Sequence, residues 1–194
     1  MSAGDPIATP PSRSPEGGKA SVWNVANLLT LVRIVLVPLF LWLLVRTGTG
    51  WRLAALAVFV VASITDRVDG ELARRHDLVT DFGKIADPIA DKALTGSALI
   101  GLSALGELWW WVTIVILVRE IGITVMRFVV IRYGVIPASK GGKLKTMLQV
   151  FAIGFYICPG PLDLIRWPLM AAALLVTVVT GVDYLFQAWR LTRR

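Results

Sequence analysis

The stretch Asp66–Asp91 reads DRVDGELARRHDLVTDFGKIADPIAD and joins two long apolar runs. Four of its acids are patterned. Asp66 and Asp69 are spaced i,i+3, and Asp87 and Asp91 are spaced i,i+4, so on helices each pair shares one face. Gly70 and Ala73 continue the first stripe and Gly83 the second. Small residues there let a helix or a ligand come close to the backbone. An ionised group inside a membrane span costs roughly 2.5–3.5 kcal/mol even on the lenient insertion scale, and such groups usually mark function. Four together call for cations between them. Arg74, Lys84 and Lys92 can neutralise part of the charge. A hard divalent metal does so better, because oxygen-only ligands suit Mg2+, Mn2+ or Ca2+. Four carboxylates can hold two such ions about 3.5–4 Å apart, as two-metal phosphoryl-transfer sites do. Asp77 and Asp81 lie off both stripes and read as solvated loop acids.

The rest of the chain frames this stretch. Its 194 residues are 56% hydrophobic and only 17% charged, against about 25% charged in an ordinary soluble domain. Twenty basic side chains outnumber 13 acidic ones, for a net charge of +7. That balance does not make a nucleic-acid binder, which needs a solvated basic surface. Hydrophobicity this high also excludes disorder over most of the length. A single Cys158 excludes a disulfide framework. A single His76 leaves little room for a His-rich metal site.

Met1–Ala20 is rich in Pro and Gly and lacks the apolar core of about 7–15 residues that a secretory signal needs. It reads as a disordered cytoplasmic tail, followed by one membrane domain over 21–194. A membrane helix needs about 20 mostly apolar residues. Six candidates fit: Leu28–Val45, Trp51–Arg74, Lys84–Leu105, Trp109–Arg132, Lys143–Ile157 and Ile165–Trp189, the fifth looking short. The expected fold is all-α, a polytopic bundle of six transmembrane helices. With the N-terminus inside, most Lys and Arg fall in inner segments, and only Arg46, Arg52 and Arg166 in outer ones. The positive-inside rule then puts both termini and the acids on the cytoplasmic side of the cell (inner) membrane. Trp51, Trp109, Trp110, Trp111 and Trp167 would form the outer aromatic belt.

Asp66-x-x-Asp69-Gly70-x-x-Ala73-Arg74, eight residues, then Gly83-x-x-x-Asp87-x-x-x-Asp91 resembles the signature of the CDP-alcohol phosphotransferases, with every fixed position present. The resemblance extends over all six candidate spans. It implies an integral membrane enzyme that moves a phosphatidyl or similar group from a CDP-linked donor to an alcohol and releases CMP. It implies a homodimer as well. Carried over residue by residue, it makes Asp66, Asp69 and Asp87 ligands of two divalent cations, Mg2+ or Mn2+. Asp91 becomes both a ligand and the general base. Gly70, Arg74 and Thr80 match positions that hold the nucleotide. Asn27 and Thr30, in Asn27-Leu28-Leu29-Thr30, match the stretch that closes over the cytidine, although Asn27 also suits plain helix capping. No covalent nucleophile stands out, since His76 and Cys158 lie off the acidic stripes, so direct displacement at the donor's β-phosphorus is expected.

The acceptor must be read from other residues. Arg33 lies one turn into the first span, Arg119 with Glu120 and then Arg127 in the fourth, and Lys143 and Lys145 at the start of the fifth. Buried bases beside a metal site suit an anionic acceptor. Lys143 and Lys145 equally suit inner anchors, and Arg119 suits a pairing with Glu120. The Arg33, Arg119-Glu120 and Gly142-Lys143-Leu144-Lys145-Thr146 patterns, with Gly134–Ser139, resemble the family branch that joins CDP-diacylglycerol to sn-glycerol 3-phosphate. Sister activities with inositol phosphate or phosphatidylglycerol as acceptor are the nearest alternatives. A small ion transporter is the alternative of another class. It fits less well, because the acids cluster at one end and no inverted repeat pairs the two halves. Asp183 in the sixth span is expected either to pair with a buried Arg such as Arg127, the favoured reading, or to line the cavity.

Overall fold

The computed structural model describes the backbone of residues 25–75, 81–130 and 140–192, and the side chains of 31–65, 92–126 and 141–190. Six helices account for these residues: α1 Val25–Leu44, α2 Thr49–Arg75, α3 Asp81–Ala104, α4 Trp110–Val130, α5 Lys140–Ile157 and α6 Asp163–Thr192. No strand occurs among the described residues. Each helix overlaps the expected span. α3 and α5 begin three residues earlier than expected, and α5, at 18 residues, is the shortest of the six, as its span suggested.

Short turns join α1 to α2, α3 to α4 and α5 to α6, which makes three antiparallel hairpins. Each turn contains a glycine with positive φ: Gly48 at 114°, Gly106 at 75° and Gly160 at 118°. L side chains rarely adopt that conformation. The three turns meet at one end of the bundle. Arg52 at the start of α2 pairs with Glu107 in the α3–α4 turn. Trp109, before α4, packs on Trp167 of α6 with ring centroids 4.8 Å apart. Trp167 also lies edge-on to Tyr156, near the end of α5.

The helices form a closed circuit in the order α1, α2, α5, α6, α4, α3, with α3 also touching α2 and α5 across the middle. Phe40, Phe59, Leu99, Leu102, Ile116 and Ile153 are fully buried between them. α1 and α3 approach closely because Gly101 has no side chain. A β-carbon there would stand 2.7 Å from Leu44 Cδ2. Ser103 and Thr113, both buried, join α3 to α4 through a 2.7 Å hydroxyl hydrogen bond.

The outer surface is strongly apolar. Val35, Ile64, Val118, Leu164 and Leu175 are each more than half exposed, as are the indoles of Trp109, Trp110 and Trp111. Among the described residues, one stretch, Asp163–Arg190 of α6, is long and apolar enough by composition to cross a membrane. The described parts of α1 and α2, Leu31–Leu44 and Thr49–Thr65, are apolar as well. The six expected helices are all present, and α6 is the one whose described side chains run the full length of a membrane span. Charged residues lie within every helix: Arg33 in α1, Asp66 and Asp69 in α2, Asp87 and Asp91 in α3, Arg119 and Glu120 in α4, Lys143 and Lys145 in α5, and Asp183 in α6.

Candidate active site

The end of the bundle away from the three turns carries the candidate chemistry. Asp66, Asp69, Gly70 and Arg74 lie in the last part of α2, and Asp87 and Asp91 in the first part of α3. Both segments are helical throughout, so the i,i+3 and i,i+4 spacings do place each acid pair along one face. α2 and α3 pack against each other, which brings the two acid-bearing segments to one end of the bundle. Asp91 stands ten residues into α3, about 15 Å along the axis from Asp81. The side chains of these six residues lie outside the described ones. So do those of Asn27 and Thr30 in α1 and Arg127 in α4. Thr80, the Gly134–Ser139 pattern and the tail Met1–Ala20 lie outside the described residues altogether.

On the basic side of the site, Arg119, Glu120, Lys143 and Lys145 are described. α4 and α5 make little direct contact among the described residues, and each packs on α3 and α6. Polar side chains meet across the space between them. Glu120 of α4 is the junction. Its Oε1 pairs with Lys145 of α5 and accepts from Arg119 Nη1 at 3.3 Å. Lys145 is only 6% exposed, so its ammonium needs such a partner. Arg119 reaches α6 as well, donating from Nη2 to Thr180 Oγ1 at 3.1 Å. Its side chain lies across Gly181, where a β-carbon would stand 3.1 Å from Arg119 Cγ. Arg119 Nε is buried and finds no hydrogen-bond partner among the described residues. On the same level, Gln149 of α5 donates to Thr177 of α6 at 3.4 Å.

Not every expected acceptor residue joins this group. Lys143 is exposed, two residues before Lys145 and therefore about 200° around α5 from it. Arg33 is buried, at 1% exposure, but belongs to α1, which packs on α2 and α3. It stands on the side of the bundle where the acids are. Asp183 is exposed and accepts a 2.8 Å hydrogen bond from Gln187, one turn on.

Two roles escaped the sequence reading. Glu120 was expected there as a partner of Arg119, which it is, but its second pairing, with Lys145, was not. Lys92 appeared only as a possible neutraliser of the acids. It crosses to α4, donating to the Glu120 carbonyl at 2.9 Å and contacting the Thr124 hydroxyl. The available signal for Lys92 was its immediate succession to Asp91.

A six-helix bundle with patterned acids on two adjacent helices and basic residues across from them defines a class. The profile of the CDP-alcohol phosphatidyltransferase family matches residues 23–179, and the chain belongs to that family. It is 53% identical to the probable phosphatidylglycerophosphate synthase of Mycobacterium tuberculosis, over 95% of this chain and 90% of that one. It is 37% identical to the CDP-diacylglycerol–glycerol-3-phosphate 3-phosphatidyltransferase of Bacillus subtilis, over 87% of this chain and 96% of that one. A CMP-forming cardiolipin synthase of Streptomyces coelicolor is 35% identical over 68% of this chain and 63% of its own length.

Proposed function

We propose that the protein transfers the phosphatidyl group of CDP-diacylglycerol to sn-glycerol 3-phosphate, giving phosphatidylglycerophosphate and CMP. The observation that carries this reading is the buried Arg119–Glu120–Lys145 group, set opposite the helices that bear the acids. An acceptor that is itself a phosphate monoester needs such cations, whereas inositol, serine or choline does not. Arg119 Nε, buried without a partner among the described residues, is a donor held ready for an anion. The names of the Mycobacterium and Bacillus relatives agree.

The donor set of Asp66, Asp69, Asp87 and Asp91 is oxygen-only and multiply charged, which fits two Mg2+ or Mn2+ ions. Bound there, such ions would screen the donor's pyrophosphate and stabilise the departing CMP phosphate. The chain's own residues do the rest. Gly70, Arg74 and Thr80, with Asn27 and Thr30, hold the CDP moiety. Arg119 and Lys145, with Arg127 farther along α4, orient the acceptor by its phosphate, and Arg33 of α1 adds positive charge on the acid-bearing side. Lys143 supplies positive charge at the entrance. The acceptor hydroxyl attacks the β-phosphorus, Asp91 takes its proton, and the bond to CMP breaks as the new ester bond forms. No residue is esterified on the way.

The apolar outer surface supports a membrane location for all six helices, since soluble monomers rarely expose continuous apolar patches of this extent. The three turns with their indoles then lie on the outer face. The acids, both termini and the substrates lie on the cytoplasmic face of the cell membrane. There the donor's acyl chains stay in lipid while its headgroup meets a water-soluble acceptor. The working form is a homodimer, and a single-protomer mass for the active species in detergent would contradict that.

The test is CMP release by the purified protein from CDP-diacylglycerol, with Mg2+ or Mn2+, against a panel of acceptors. sn-Glycerol 3-phosphate should be preferred. Preference for phosphatidylglycerol would support a cardiolipin synthase, the second reading that the Streptomyces relative favours. Preference for inositol phosphate would support the other sister activity. Metal-dependent ion flux in liposomes without CMP would support a transporter.

A further inference from the structure

Lys92 immediately follows Asp91 in α3. Its ammonium crosses to α4 and binds the turn from Glu120 to Thr124. One contact is the 2.9 Å hydrogen bond to the Glu120 carbonyl, and the other is with the Thr124 hydroxyl. That hydroxyl in turn donates to the same Glu120 carbonyl at 2.7 Å. The Glu120 side chain holds Lys145 of α5 and Arg119, which is seated on Thr180 and Gly181 of α6. Four helices are thus tied together at the level of Asp91, through one residue.

We propose that Lys92 is a positioning residue: by fastening α3 to the Glu120–Thr124 turn, it fixes the height of Asp91 relative to Arg119 and Lys145. The proposal rests on the phosphatidyltransferase reading, in which Asp91 takes the acceptor proton and the two bases hold the acceptor phosphate. The distance between hydroxyl and phosphate in the acceptor is fixed by its covalent bonds. The distance between the proton acceptor and the phosphate holders must match it. Helices sliding past each other by one residue would move Asp91 by about 1.5 Å, and a misplacement near 1 Å costs on the order of a hundredfold in rate. Lys92 suits this task because an ammonium can donate three hydrogen bonds. Two of its partners belong to the α4 turn whose carboxylate holds the basic pair.

The test compares Lys92→Met, which keeps an unbranched apolar stem and removes the ammonium, with Lys92→Arg. In the CMP-release assay, Lys92→Met should lose about ten- to a hundredfold in kcat, with the KM for glycerol 3-phosphate within about threefold. Lys92→Arg should recover most of the loss. An unchanged kcat would overturn the proposal. So would a rise in acceptor KM at constant kcat, which would make Lys92 a substrate ligand. A second readout is independent of turnover. In a Cys158→Ser background, spin labels at Ile100 of α3 and Ile121 of α4, both exposed, report the register of the two helices. Lys92→Met should shift or broaden their distance distribution by about one residue's rise, ~1.5 Å, and Lys92→Arg should restore it. An unchanged distribution overturns the proposal. A shifted distribution in a protein that releases no CMP with any acceptor keeps the Lys92 tie and overturns the functional reading instead.

Discussion

Arg119 lies across Gly181, with its Cγ 3.1 Å from the point a β-carbon would occupy and its Nη2 3.1 Å from Thr180 Oγ1. The absence of a side chain on α6 therefore sets where a cation on α4 is held. Gly181→Val should push Arg119 out of this seat and raise the KM for glycerol 3-phosphate about three- to tenfold. The KM for CDP-diacylglycerol should move less. Steady-state kinetics with each substrate varied in turn checks this, and equal rises in both constants would contradict the placement.

The ion pairs of Glu120 predict a contrast between two lysines on one helix. Lys145 is buried and paired with Glu120, whereas Lys143 faces outward. Lys145→Met and Arg119→Ala should each raise the acceptor KM about tenfold or more, as expected for losing a charge-assisted hydrogen bond. Lys143→Met should raise it less. A larger effect at Lys143 would place the acceptor phosphate outside the α3–α6 space.

Asp91→Asn keeps the shape of the side chain and removes its basicity. Turnover should fall about 10²–10⁴-fold or more, while glycerol 3-phosphate still binds, as read by calorimetry in the presence of Mg2+. Near-normal turnover would remove Asp91 as the base.

Gly101 governs stability rather than chemistry. Gly101→Val would bring a side chain to within 2.7 Å of Leu44 Cδ2 in a fully packed region. Overpacking of this kind costs about 1–3 kcal/mol, visible as a lower Tm in detergent. Adding Leu44→Ala should recover part of the loss, because the two positions share one space. Additive losses in the double variant would contradict that coupling.

At the turn end, Arg52 and Glu107 pair between α2 and the α3–α4 turn. Arg52→Met should destabilise the protein by about 1–3 kcal/mol, since Glu107 keeps its charge in a half-buried place. Arg52→Met with Glu107→Gln should be the more stable of the two variants in thermal melting. The reverse order would mean that the pair does not hold this end together.

The helices were legible because apolar runs of membrane length stand out and Gly or Pro marks their limits. The acid spacing was legible because helical periodicity turns i,i+3 and i,i+4 into shared faces, and α2 and α3 are helical there. What escaped depends on which helices become neighbours. Lys143 and Lys145 look alike in sequence, and only the packing of α5 on α6 and α3 decides which is buried. Lys92 and Glu120 are 28 positions apart, and no local pattern announces that one binds the backbone of the other. Arg33 looked like a companion of Arg119 until the circuit of helices placed α1 beside α2 and α3.

The charges at the turn end bear on how the chain enters a bilayer. Arg52 is matched by Glu107 and Arg166 by Asp163, and Arg46 rests over the indole of Trp42, 4.8 Å from its centroid. On the proposed orientation these are the segments that must be carried across. The assembled turn end would thus hold ions that are matched or shielded, Arg52 and Glu107 between two hairpins and Arg166 and Asp163 within one, while the four patterned acids and most of the bases never leave the side of synthesis. Biogenesis and chemistry would then share one division of the molecule: the end that crosses is nearly neutral, and the end that stays is the one that works.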